Sequence, residues 1–86
     1  MAKILVSEAD PDVRRLLIVL VRRLGHEAVV IDPDVAVPPR ADLLLLDPGR
    51  FMRTHVPDLP VICTRKPFTV AQMRKQIEHT LAASAA

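Results

Sequence analysis

In a chain of 86 residues, the side chains able to do chemistry are few and easily placed. Cys63 is the only cysteine, which excludes a disulfide within the chain and any cysteine-based metal spacing. It lies in the run Val61-Ile62-Cys63, where a free thiol packs as a small hydrophobe, so burial is expected. His26, His55 and His79 share no metal-ligand spacing and read as surface histidines. Two glycines cannot build a glycine-rich phosphate loop, and no Ser/His/Asp grouping has a spacing that suits a nucleophile and its base. The remaining candidates sit at the ends of apolar runs: Glu8, Asp47 and Thr64. Ligands of open α/β sheets bind at the carboxyl ends of strands, so these positions are chemically useful if the runs are parallel strands.

The runs are Ile4-Leu5-Val6, Val29-Val30-Ile31, Leu43-Leu44-Leu45-Leu46 and Val61-Ile62-Cys63, and none alternates with polar residues. Unbroken aliphatic runs fit strands covered on both faces, as in parallel sheets. After the first run, Val13, Leu16, Leu17, Leu20, Val21 and Leu24 recur at helical spacing. Asp10 suits the N-cap of this helix, Pro11 its first position, and Gly25 a left-handed end. Arg14, Arg15, Arg22 and Arg23 read as its solvated side, interrupted by Ile18 and Val19. A second helix starts after Pro67-Phe68, with Thr69 and Gln72 spaced as a capping box and Val70, Met73, Ile77 and Leu81 as its apolar stripe. Residues 82–86 are expected to fray. Between the other runs, residues 32–42 and 48–60 each hold three prolines, too many for a long helix. Residues 50–55 have room for one helical turn.

Composition removes several function classes. Aromatic residues make up 2% of the chain, with no Trp or Tyr, which leaves no stacking platform for single-stranded nucleic acid. The 12 basic residues nearly balance the 10 acidic ones, so no basic stripe points to a nucleic-acid partner. The first apolar run is too short for a signal-peptide core or a membrane span, and a cytoplasmic location without membrane attachment is expected.

The stretch from Lys3-Ile4-Leu5-Val6-Ser7-Glu8 through Asp10-Pro11-Asp12 and on to Leu24-Gly25-His26-Glu27 resembles the start of a response-regulator receiver domain. Ala41-Asp42-Leu43-Leu44-Leu45-Leu46-Asp47 is similar to that family's third strand, and Lys66-Pro67-Phe68 to the lysine motif before its last helix. The ordered set covers most of the chain. It implies a flavodoxin-like α/β domain over residues 1–82 with a tail at 83–86: a parallel sheet of about four strands in the order 2-1-3-4, with two long helices on one face. The chain is shorter than a full receiver, and proline-rich connectors stand where helices of the other face would be. That face is expected to be bare, and to be covered by a second copy in a homodimer or by a heterologous protein, the alternative being that the connectors fold back over it with Val35, Val37, Phe51, Met52 and Val56.

The resemblance also implies roles. Asp47 is the candidate phosphoacceptor, Lys66 the phosphate-pairing cation and Thr64 the switch hydroxyl. Glu8, Asp47 and, with a shift of register, Asp10 are the candidate ligands of Mg²⁺. Two departures matter: Ala9 stands where the family has a second acidic residue, and Thr64 and Lys66 are separated by a single residue, whereas receivers carry them on different strands. Each candidate has a plainer reading as well, Asp47 as a turn residue before Pro48-Gly49, Asp10 as a helix cap, and Thr64 and Lys66 as strand-end or surface residues. The expectation is an atypical signalling protein that is not an enzyme and acts by contact, with impaired phosphorylation at Asp47. A phosphorylation-independent pseudo-receiver, and a small-ligand-binding domain or enzyme using Glu8, Asp47 and Thr64, are the alternatives.

Overall fold

The aliphatic runs form four strands that pair only in parallel. The computed structural model describes residues 1–32, 40–49 and 58–84. The order along the chain is β1 (Lys3–Ser7), α1 (Pro11–Arg23), β2 (Glu27–Val30), β3 (Leu43–Leu46), β4 (Val61–Cys63) and α2 (Val70–Ser84). Across the sheet it is β2-β1-β3-β4, the expected α/β topology. Most of both proline-rich connectors, and the helical turn expected at 50–55, lie outside the described residues.

The helix ends follow from local chemistry. Asp10 Oδ1 accepts from the backbone N–H of Asp12 at 2.9 Å and of Val13 at 3.4 Å, which satisfies two of the donors a helix start leaves over. Gly25, with φ of +87°, supplies the left-handed residue after α1. Thr69 and Gln72 close a capping box, each side chain accepting from the other's backbone N–H at 3.0 Å. The second helix runs to Ser84, beyond the point where fraying was expected.

Side chains alternate across a strand, so register decides what each face buries. Ile4 pairs with Ala28 and Leu43, and Val6 with Val30 and Leu45. This face packs on Leu17, Leu20 and Val21 of α1 and on Met73 and Ile77 of α2, placing both helices on one side. Each aliphatic side chain fully buried there contributes about 1.5–3 kcal/mol of transfer free energy. Leu16 and Val70, assigned to the apolar stripes by spacing, are instead 41% and 45% exposed, at the margins of those stripes.

The opposite face is not bare across its width. Leu5, Ile31 and Leu44 are buried there, with Val29, Ala41, Leu46 and Leu59 packed around them. On the β4 edge Val61 is 49% exposed, as Val30 of β2 is 45% exposed near the other edge. Cys63 is exposed too, against the expectation of burial. An apolar run identifies a strand but not its place in the sheet, and β4 is an edge strand. Among the described residues no helix is long and apolar enough to cross a membrane.

Candidate functional site

Three strand ends meet because the register aligns them. Ser7 lies beside Leu46, and Leu46 beside Cys63. The ladder continues one step further, with Asp47 N–H donating to Ser7 O and Thr64 N–H to Leu46 O, both at 2.9 Å. The next residues, Glu8, Asp47 and Thr64, are thus neighbours at the carboxyl end of the sheet, all continuing the side that Val6, Leu45 and Ile62 occupy.

Lys66 joins them through a tight reversal of the chain. Arg65 N–H donates to Cys63 O at 2.9 Å, and the Lys66–Pro67 peptide is cis. Lys66 Nζ then lies 2.9 Å from Glu8 Oε2 and 3.9 Å from Asp47 Oδ2. Thr64 Oγ1 is 3.3 Å from Glu8 Oε1 and 3.4 Å from Leu46 O. The separation of Thr64 and Lys66 by one residue does not keep them apart, since the strand end directs the first inward and the reversal returns the second.

Glu8 is the hub. Its side chain is fully buried, yet both oxygens are satisfied: Oε1 by Thr64, Oε2 by Lys66 and by Asp10 N–H at 3.0 Å. A buried charge requires such partners. Asp47 is the more open carboxylate, with its side chain 16% exposed. Its Oδ1 accepts from Gly49 N–H at 3.0 Å, so it is both the turn residue and a member of the cluster. That bond is the main reason its carboxyl is held below the ordinary 3.8; desolvation opposes it, and hydrogen bonding with Glu8, the Ala9 N–H and the Lys66 charge assist. Lys66 is raised above its ordinary value, first by its hydrogen bond to Glu8, against desolvation, then by the charges of Glu8, Asp47 and Asp10.

The cluster fits Mg²⁺ poorly as it stands. Lys66, a cation of the chain itself, is seated between the two carboxylates. Asp10 directs Oδ1 to the start of α1, and Ala9 offers a methyl group. A hard cation needs several oxygen ligands, and no group of three acidic, histidine or cysteine side chains is arranged to hold one among the described residues.

The other candidates separate from this site. His26 Nδ1 accepts from Ala2 N–H at 3.1 Å, a structural bond that ties the start of β1 to the start of β2. His79 lies exposed on α2, and His55 is outside the described residues. The backbone donors of Ala9 and Gly49 were missed by reasoning from side-chain types; the Pro48-Gly49 turn was the available signal for the second. Ser7 was missed as well: its hydroxyl is buried with no hydrogen-bond partner among the described residues.

No protein-family model matches this sequence, and no curated protein shows significant similarity to it.

Proposed function

We propose that the chain is an atypical, receiver-like regulatory protein of the cytosol that acts by contact with other protein chains, its acidic cluster held by Lys66 in place of a metal. One observation carries the reading: the Lys66 ammonium lies 2.9 Å from Glu8 and 3.9 Å from Asp47, the place a divalent cation would need. The ordered motifs and the β2-β1-β3-β4 parallel sheet are compatible with it, although a fold alone assigns no activity. Thr64 supports it too, because its hydroxyl is engaged by Glu8 and Leu46 and is not free to report on Asp47.

A second reading has its own observation. Asp47 is ionised at neutral pH and partly open, which suits a nucleophile. In that case an Asp47 carboxylate oxygen attacks the phosphorus of a small phosphodonor such as phosphoramidate. A P–O bond forms as the P–N bond breaks, and the nitrogen leaves as ammonia.

One assay separates the two. The wild-type chain and Asp47→Asn are incubated with phosphoramidate, with and without Mg²⁺, and their intact masses recorded. The first reading expects no phosphoryl mass on the wild-type chain under either condition. A Mg²⁺-dependent gain of one phosphoryl group, absent from Asp47→Asn, establishes the second reading and removes the first.

A further inference from the structure

Strand β4 is an edge strand, and its free side can be reconstructed atom by atom. Leu44 N–H donates to Pro60 O and Thr64 N–H to Leu46 O, so Pro60, Ile62 and Thr64 turn their backbone groups toward β3. The groups of Val61 and Cys63 therefore point outward. Among the described residues nothing pairs with the N–H groups of either or with Val61 O, while Cys63 O accepts only from Arg65 N–H and keeps a second lone pair. Beside this edge opens a cleft of about 320 Å³ lined by Cys63, Arg65, Phe68 and Met73 among others, so α2 does not close it.

The edge is short, three residues directly after Pro60, but its own residues carry no charge. Exposed edge strands are commonly protected by charge, proline or a covering segment. The other edge, β2, carries Glu27, about half exposed and 3.8 Å from Lys3. Strand β4 is Val-Ile-Cys with no charge, and Val61 and Cys63 are both exposed.

We infer that the β4 edge is a homodimer contact, in which two copies pair antiparallel about a two-fold axis through Ile62. This register alone overlaps the whole strand. Val61 and Cys63 of one copy then exchange backbone hydrogen bonds with Cys63 and Val61 of the other, and the two Ile62 residues face each other. Flanking charges select the same arrangement. Asp58 precedes the strand and Arg65 follows it, both exposed and neither ion-paired with a described residue. Antiparallel pairing brings the Asp58 end of one strand to the Arg65 end of the other. Parallel pairing would bring like charges together. The inference names the contact surface for the module proposed above, and the phosphodonor assay has no bearing on whether the contact exists.

The geometry also says which cysteines can be joined. Hydrogen-bonded partners across antiparallel strands have Cα atoms about 5.5 Å apart, within disulfide reach, whereas the two Cys63 residues lie on a diagonal of roughly 9 Å, beyond it. The wild-type dimer is therefore non-covalent, and Val61→Cys creates a pair that oxidises onto Cys63 of the second copy.

The test is solution mass by light scattering, up to roughly 100 µM protein, a range that captures weak association. The wild-type chain is expected at twice 9.5 kDa, with or without reductant. Val61→Lys is expected to weaken the dimer about tenfold or more while far-ultraviolet circular dichroism stays unchanged, since Val61 is half exposed. Val30→Lys, which places the same charge near the other edge, is expected to leave it intact. Mild oxidation is expected to give a covalent dimer with Val61→Cys and none with Val61→Cys/Cys63→Ala. A monomeric wild-type chain, a folded Val61→Lys that still dimerises as wild type does, or equal cross-linking of the two cysteine variants overturns the inference.

Discussion

Replacing Glu8 by two different residues separates hydrogen-bond geometry from burial. Its Oε2 accepts from Lys66 and from Asp10 N–H, its Oε1 from Thr64, and the side chain is fully buried. In Glu8→Gln the amide oxygen can occupy the Oε2 position and keep both donors. The new amide nitrogen then faces Thr64, whose hydroxyl turns to accept from it and to donate to Leu46 O, 3.4 Å away. Every partner stays satisfied, and the loss is the extra strength of a charged acceptor, about 1 kcal/mol. Glu8→Ala removes the acceptors outright. The Asp10 N–H loses its bond at a part-buried site, costing about 1–3 kcal/mol, and the side-chain volume adds a cavity, for a total of about 3 kcal/mol. Urea unfolding followed by circular dichroism measures both. In thermal melts, about 1 kcal/mol in a domain of this size corresponds to roughly 4–8 °C. Equal losses for Gln and Ala would refute the claim that hydrogen-bond geometry more than charge holds the network together, as would a Glu8→Gln loss that stays the same when Thr64→Val removes the compensating hydroxyl.

Other outcomes follow from the same structure. Asp10→Ala removes the acceptor for Asp12 and Val13 N–H and is expected to cost about 0.5–2 kcal/mol in denaturant unfolding, with Asp10→Ser recovering most of it. Ser7→Ala, which removes a buried hydroxyl without a partner among the described residues, is expected to raise the urea midpoint, and a fall would show that the hydroxyl is satisfied after all. Asp47 is held below its ordinary 3.8, so the stability it contributes is present above pH 3.8 and lost as pH falls through the depressed value. The stability gap between wild type and Asp47→Asn should therefore close on acidification across that window, and a gap independent of pH would show that the carboxylate charge plays no part.

Much of the architecture was legible because local and long-range signals agreed. The uninterrupted aliphatic runs indicated parallel strands. Asp10, Pro11 and Gly25 fixed the first helix by capping chemistry that acts within a few residues. Thr69 and Gln72 did the same for the second. What escaped depended on position in the sheet. Val61-Ile62-Cys63 reads like the other runs, yet it lies at the rim, leaving Cys63 exposed where burial was expected. The opposite sheet face, expected to be open, buries Leu5, Ile31 and Leu44. The candidate site was legible as a set of residues but not as a wiring diagram. Spacing could not reveal that Lys66 turns back onto Glu8, nor that Gly49 N–H would hold Asp47.

The central place of β1 constrains the order in which this molecule can be born. Its lateral bonds wait on Glu27–Val30 along one side and on Leu43–Leu46 along the other. During synthesis Lys3–Ser7 leaves the ribosome before either strand it pairs with, and its second neighbour arrives only with Leu43–Leu46. Closing those long loops precedes any reward from pairing, so assembly should be slower than in a helical bundle of equal length. A nascent chain stalled before Leu43 would be a natural client for a chaperone.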